Sequence, residues 1–311
     1  DESVTALLDA LAGENQRFTE LAAPSRQLIA RSASQAAQQG PIALILPGIM
    51  GSHLADGNNR IWMEPLSLGA GQLRQLAVDA TGQSVHAISV QGWATAYYQP
   101  FADYLDSQGM EARPFCYDWR LSLADSAKCF ATAFDQAAEQ AARRHKPLYI
   151  AAHSMGGLVA RLALNQPDSS GALRWETLEK LAGRLVQFGT PNRGSLSMLT
   201  VLLGRDRLTR RLGLLAEAFR PKGELLDVVR HYPGVLELLP WPQDDATPDY
   251  FTASRWADLA QDDARTRLNW RAPEEAALVR ARAVIQALNQ TPLPAEQCAY
   301  VAGRARTPAA V

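Results

Sequence analysis

The chain has 311 residues, of which 47% are hydrophobic and 20% charged, and its formal net charge is −1. This composition is typical of a globular protein with a sizeable core, and the near-zero charge argues against nucleic acid or an anionic membrane surface as a partner. No run of about 18 or more apolar residues predicts a membrane-spanning helix. The chain begins without Met or a signal peptide, so we expect either a processed product or an excised piece of a longer chain with additional domains.

Apolar periodicity divides the chain into strand-like and helix-like segments. Residues 1–40 predict a helical N-terminal lead-in, and the turn-rich segment 48–60 predicts irregular structure. Strands are expected at 40–48, 111–118, 147–154, 183–191 and 296–305, and helices at 97–109, 122–146, 155–166 and 273–290. This alternation is typical of an α/β protein with a mostly parallel sheet flanked by helices on both faces.

Residues 192–272 interrupt the alternation. They are rich in Leu, Trp and Pro and show no clear strand pattern. We interpret them as a helical cap or lid over an apolar binding cleft, and the alternative is an ordinary helical excursion. The predicted core therefore comprises residues 41–191 and 273–311, with the cap inserted at 192–272.

The segment LYIAAHSMGGLVARLAL (148–164) predicts a nucleophilic serine. Ser154 follows an apolar strand and precedes an apolar-periodic helix, with small residues at Ala152 and Gly156. A nucleophile elbow, the sharp turn that lifts a serine hydroxyl above the sheet, needs small residues at these positions. The helix that begins at Met155 directs its free N–H groups at the reacting centre. The alternative is an inert serine in a tight turn.

A second signal is the glycine-containing loop ILPGIMGSHL (45–54), which follows the first predicted strand. Acyl transfer needs N–H donors for the developing oxyanion. We expect one donor to be the Met155 amide and the other the Met50 amide, with Gly48 and Gly51 allowing the backbone to approach closely. The alternative is a glycine turn without a catalytic part.

Several motifs together resemble the lecithin:cholesterol acyltransferase-like branch of the α/β hydrolases. The resemblance extends over about residues 41–305 and rests on PGIMGSHL (47–54), YDWR (117–120), AHSMGGLVARLAL (152–164), FGTPNRGS (188–195) and VLELLP (235–240). It implies an α/β-hydrolase fold with a cap, lipid acyl esters as substrates, and an acyl-serine intermediate on Ser154. It also implies that Trp119 and Arg120 lie near the cleft rim. Without the resemblance, these two residues are interpreted as packing and ion-pairing at a strand end.

The general base is not evident. In this fold the triad acid and histidine follow the serine in the chain, but the histidine after Ser154 is His231, within the predicted cap. His153 is expected to point away from the cleft, and the other histidines lack a catalytic context. We therefore expect the acid and base to lie beyond Val311. The alternatives are a degenerate domain that has lost them and an unusual base within the chain.

The predicted function is that of a serine esterase, lipase or O-acyltransferase acting on lipid-type acyl esters. The alternatives are a catalytically inactive module for lipid binding or protein interaction, and a thioesterase or amidase of the same fold. No metal or cofactor is implied, because the sequence has no clustered metal ligands and no phosphate-binding glycine loop. The preference for arginine over lysine indicates a GC-rich, bacterial genome, and we expect a soluble protein of unassigned compartment.

Overall fold

A computed structural model describes residues 39–62, 72–205, 224–244, 246–263, 271–291 and 293–303. The predicted helical lead-in at 1–40 lies outside these residues except for its last two positions. Strands are β1 (Ile42–Leu46), β2 (Ser52–Asp56), β3 (Asn59–Trp62), β4 (Ile88–Trp93), β5 (Glu111–Pro114), β6 (Leu148–His153), β7 (Arg184–Phe188) and β8 (Cys298–Val301).

Five of these strands form a parallel sheet in the order β5-β1-β6-β7-β8. All five correspond to strands predicted from apolar runs. Strand β6, which leads into Ser154, lies at the centre of the sheet between β1 and β7. The carboxyl end of the central strand is where a parallel α/β sheet places its ligands, so the sheet presents Ser154 at the expected edge.

Helices cover the sheet as the alternation predicts. The α-helices in the described residues are α1 (Thr95–Ser107), α2 (Leu123–Arg144), α3 (Met155–Leu164), α4 (Arg174–Lys180), α5 (Leu196–Leu202), α6 (Glu224–Val229), α7 (Pro233–Leu236), α8 (Ala253–Asp263) and α9 (Glu275–Gln290). The four predicted helices correspond to α1, α2, α3 and α9. No helix of the described residues is both long and apolar enough to span a membrane.

The two faces of the sheet bury different sets of side chains. Successive residues of a strand point to opposite faces. Leu44 and Ile150 therefore belong to the large core that contains residues of α2 and α3. Their neighbours Ile45 and Ala151 belong to a smaller cluster with Ala102 of α1. The central strands are thus covered on both faces, and the fold is that of an α/β hydrolase.

The expectation of irregular structure at residues 48–60 is wrong. Strands β2 and β3 lie in this segment and form a three-stranded antiparallel sheet with β4. The turn residues that suggested a loop form the hairpin between the strands, where Gly57 has φ +57°. Leu54 and Ile61 are fully buried in the large core. Burial of these apolar side chains stabilises the short strands despite the poor local strand signal.

The described part of the predicted cap contains α5, α6, α7 and α8 and no strand. Its residues 233–237 are attached to the core, because the Gly234 N–H donates to the Arg120 carbonyl (3.0 Å). The Glu237 carboxyl accepts hydrogen bonds from the Ser122 hydroxyl (2.8 Å) and the Leu123 N–H (2.6 Å), at the start of α2. Burial raises the pKa of Glu237 to about 8. The cap role and the domain boundaries stay predictions.

Candidate active site

Ser154 lies in a strained turn between β6 and α3. Its backbone has φ +50° and ψ −122°, a conformation that non-glycine residues rarely adopt and that clusters at functional sites. The turn is held by hydrogen bonds from the Ser154 N–H to the Phe188 carbonyl (2.8 Å) and from the Gly157 N–H to the Ser154 carbonyl (3.0 Å). This geometry is the one that a nucleophile elbow requires.

The small residues around Ser154 are needed for packing. Ala152 is fully buried. A methyl group on Gly156 would lie 2.6 Å from the Pro47 carbonyl oxygen, and one on Gly157 would overlap the Thr190 side chain. We call residues 152–157 the Ser154 turn. They therefore pack tightly between the ends of β1 and β7. Sequence reasoning predicted the constraint at Ala152 and Gly156 but assigned no contact to Gly157.

Residues 47–51, which we call the first loop, follow β1 and contact the Ser154 turn. A methyl group on Gly48 would lie 3.0 Å from the Ser154 Cβ, so only glycine permits this approach. Gly51 is similarly confined, with the Tyr98 hydroxyl and the Gly48 carbonyl within 2.9 Å of an added methyl group. A side chain at either position would therefore displace its neighbours, and the part that both glycines have in an oxyanion site stays a prediction.

Three side chains and one backbone N–H from outside the first loop fix its backbone. Four hydrogen bonds hold it: Tyr117 Oη to Pro47 O (2.8 Å), Gly48 N to Tyr98 Oη (2.9 Å), Trp62 Nε1 to Met50 O (3.0 Å) and Ala94 N to Gly51 O (2.8 Å). Met50 itself has φ +62°, a strained conformation for a residue with a side chain. The loop is therefore held in one conformation by residues distant in the chain.

Backbone N–H groups in both segments lack an acceptor among the described residues, and those of Met50 and Met155 are among them. Met155 is the first residue of α3, where N–H groups lack an intrahelical partner and the helix dipole favours negative charge. These are the two amides expected to bind an oxyanion, and that role stays a prediction.

The side chains of Trp119 and Arg120 do not form an exposed cleft rim. Their exposed fractions are 1% and 0%. The Arg120 guanidinium makes a bidentate ion pair with Asp118 (2.9 and 2.6 Å), and the Trp119 indole N–H donates to the Ser52 carbonyl (3.2 Å). These contacts are those of the packing and ion-pairing interpretation, and the position of the two residues relative to the cleft rim stays a prediction.

The His153 side chain contacts α1 and the first loop. Its Nδ1 lies 2.9 Å from the Tyr98 hydroxyl, and the ring packs against Gly48 of the first loop. Burial lowers the pKa of His153. Tyr98 was not among the residues singled out from the sequence, because it lies in an ordinary amphipathic helix, α1, without a motif of its own.

A base for Ser154 is not evident from the hydrogen bonds of the described residues. The Ser154 hydroxyl has no hydrogen bond there to a histidine ring or a carboxylate. His231 lies just after α6, where burial lowers its pKa, and His53 Nδ1 lies 3.2 Å from the Trp62 carbonyl. Among the described residues, no three His, Cys, Asp or Glu side chains are grouped to hold a metal ion. The location of the acid and base stays a prediction.

One known protein family matches the part of the chain that contains the Ser154 turn. Residues 82–212 match the family Lecithin:cholesterol acyltransferase. The predicted resemblance to this family is confirmed. The matched range includes YDWR, the Ser154 motif and FGTPNRGS, whereas PGIMGSHL and VLELLP lie outside it.

Other comparisons add little to the lecithin:cholesterol acyltransferase match. A solved structure, "The crystal structure of Tle4-Tli4 complex", is similar at 14% sequence identity, over 80% of this chain and 71% of that chain, with a TM-score of 0.42. The curated proteins contain no match. The match to the lecithin:cholesterol acyltransferase family is therefore the informative comparison, and the matched range contains Ser154.

Proposed function

We propose that this chain is a serine hydrolase or acyltransferase domain that acts on lipid-type acyl esters. The observation that carries the proposal is the strained conformation of Ser154, next to two unbonded backbone amides. The match to the lecithin:cholesterol acyltransferase family supports a lipid acyl-ester hydrolase or acyltransferase in general terms.

In the proposed reaction, the Ser154 hydroxyl oxygen attacks the ester carbonyl carbon while a base takes the hydroxyl proton. The carbonyl oxygen becomes an oxyanion, which accepts hydrogen bonds from the Met50 and Met155 amides. The bond to the alcohol then breaks, and the alcohol leaves with a proton. Water or an acceptor alcohol attacks the acyl-serine in the second step, which releases the acid or a new ester and restores the Ser154 hydroxyl.

A serine-reactive fluorophosphonate probe tests this proposal. The probe is applied to this chain and to a form extended beyond Val311, each as the unchanged protein, as Ser154→Ala and as Ser169→Ala. Ser169 is a matched control because it is an exposed serine between α3 and α4. In the extended form we expect labelling of the unchanged protein and of Ser169→Ala and none of Ser154→Ala, and in this chain alone we expect no labelling. Equal labelling of Ser154→Ala would show that another residue reacts.

A second candidate is a catalytically inactive module that binds lipid or protein. It is favoured by the absence of a histidine or carboxylate partner for the Ser154 hydroxyl within the described residues. Absence of labelling in every form, with the proteins folded, would support this candidate over the enzyme.

A further inference from the structure

Tyr98 joins the two segments on either side of the predicted oxyanion site. Its ring lies on α1 and stacks on the buried Trp93 ring, with centroids 5.6 Å apart. Its hydroxyl accepts a hydrogen bond from the Gly48 N–H of the first loop (2.9 Å). The same oxygen lies 2.9 Å from Nδ1 of His153, the residue immediately before Ser154. One hydroxyl therefore connects the first loop to the Ser154 turn.

The Gly48 N–H donates to the Tyr98 oxygen, and the direction of the bond between Tyr98 and His153 depends on the tautomer of the His153 ring. A backbone N–H can only donate, so the Tyr98 oxygen accepts from Gly48 and has its own proton left to donate. We assign this proton to His153 Nδ1, which then accepts as part of a neutral ring protonated on Nε2; a ring protonated on Nδ1 would donate to the same oxygen instead. Burial lowers the pKa of His153, and this favours the neutral ring.

The side-chain bridge begins where backbone pairing ends. Strands β1 and β6 are paired up to Leu46 opposite Ala152. Beyond this pair the strands give way to the first loop and the Ser154 turn, each with one of the amides expected to bind the oxyanion. The Gly48–Tyr98–His153 hydrogen bonds are the next connection across the gap. They also occupy the Gly48 N–H, so this amide is not a donor for the substrate.

We propose that Tyr98 and His153 are positioning residues that set the spacing between the Met50 and Met155 amides. This inference rests on the proposed function. Neither residue touches the reacting atoms in this role; both act through the first loop. Oxyanion donors stabilise the transition state only when they are pre-aligned, and interactions made chiefly in the transition state affect kcat rather than KM.

The change Tyr98→Phe tests the bridge with little loss of packing. Phenylalanine retains the ring stacked on Trp93 and removes both hydrogen bonds. Loss of a whole oxyanion donor costs about 10²–10³ in kcat. Here both donors are kept but misaligned, so we expect a drop of about tenfold to hundredfold in kcat, with KM within about twofold. Tyr97→Phe is the matched control, because Tyr97 is adjacent and 73% exposed, and we expect unchanged kinetics.

Variants of His153 separate a positioning role from a structural one. His153→Ala removes the acceptor and should lower kcat as Tyr98→Phe does. His153→Asn places an amide oxygen near the position of Nδ1, so we expect it to restore much of the rate. The double variant Tyr98→Phe/His153→Ala should be no slower than either single variant, because both break the same bridge.

A spectroscopic measurement reports on the bridge without turnover. The ¹⁵N shifts of the His153 ring distinguish the Nε2–H tautomer from the Nδ1–H tautomer, and the His153→Asn variant assigns its signals among the 5 histidines. We expect the Nε2–H tautomer in the unchanged protein and a mixture of tautomers in Tyr98→Phe.

The outcomes separate this inference from the proposed function. The kinetics are measured in the form of the chain that the fluorophosphonate probe labels. Labelling and turnover by Tyr98→Phe at the rate of Tyr97→Phe would overturn the inference alone, as would a His153 tautomer that Tyr98→Phe leaves unchanged. A protein whose Ser154 never reacts would overturn the proposed function and this inference with it.

Discussion

The Ser154 turn is restricted mainly by small residues adjacent in sequence, with a distant contact to the Phe188 carbonyl, whereas the first loop is held mainly by side chains far away in the chain. The turn depends on Ala152, Gly156 and Gly157, which lie within three positions of Ser154. The first loop depends on Tyr117, which is 70 positions from Pro47, and on Tyr98, which is 50 positions from Gly48. The two segments meet at the same site but are held by different kinds of contact, local packing in one and long-range hydrogen bonds in the other.

This difference explains why one segment is recognisable from its own motif and the other only in part. Steric crowding restricts the Ser154 turn to small residues at fixed spacing, and this leaves a local pattern. The conformation of the first loop is set by tertiary hydrogen bonds, which leave no pattern within the loop except its glycines. Variants can test whether the two kinds of support fail differently.

The largest effect is expected from breaking the local support of the Ser154 turn. Gly157→Ala would push a methyl group into the fully buried Thr190. Overpacking of this kind costs about 1–3 kcal/mol, and the displaced turn should also abolish labelling of Ser154. Urea unfolding measures the stability, with Gly303→Ala as the control, since a methyl group on Gly303 would meet nothing within 4 Å. Equal stability of the two variants would show that the turn tolerates expansion.

The free energy of unfolding should depend on pH through Glu237, which attaches the predicted cap to the start of α2. Burial raises the pKa of Glu237 to about 8 from an ordinary value of 4.5. The folded state therefore holds a proton that the unfolded state releases, and this stabilisation is complete below about pH 4.5 and is lost as the pH rises through 8.

Glu237→Gln keeps a neutral group that can accept from the Leu123 N–H. We expect its stability to be within about 1 kcal/mol of the unchanged protein at pH 5 and to exceed it increasingly between pH 6 and 9. Urea unfolding at several pH values measures the difference. A constant difference across this range would show that Glu237 does not titrate with a raised pKa.

The smallest effect is expected from removing a single long-range hydrogen bond of the first loop. Tyr117→Phe leaves the Pro47 carbonyl without its 2.8 Å donor and should lower the free energy of unfolding by about 1 kcal/mol. Tyr232→Phe is the matched control, because the buried Tyr232 hydroxyl has no hydrogen-bond partner among the described residues. That change should be neutral or stabilising. The opposite ranking in urea unfolding would contradict the proposed support of the loop.

Sequence reasoning recovers the parts of the fold that apolar patterns encode. The runs that form β1 and β6 are continuous because these strands are buried on both faces, which is the pattern of a central parallel strand. Strands β2 and β3 were missed because their turn residues outweigh two buried side chains, Leu54 and Ile61.

The same limit applies to the site. The position of Ser154 in a turn follows from its neighbours, but the contact between Tyr98 and His153 depends on how α1 packs against the sheet. Nothing in the sequence around Tyr98 distinguishes it from the adjacent Tyr97, which is exposed. Trp119 and Arg120 are likewise buried, and the YDWR motif alone does not predict this.

The residues with positive φ have a consequence for engineering a more heat-resistant form. Among the described residues, the non-glycine members are Met50, His145, Ser154 and Ala182. Met50 and Ser154 adjoin the site, where strain is part of its shape. Ala182 and His145 instead follow the ends of α4 and α2, where glycine relieves strain without touching the site. Glycine can therefore replace Ala182 or His145 to relieve strain. Met50 and Ser154 should be kept, because their conformations shape the site.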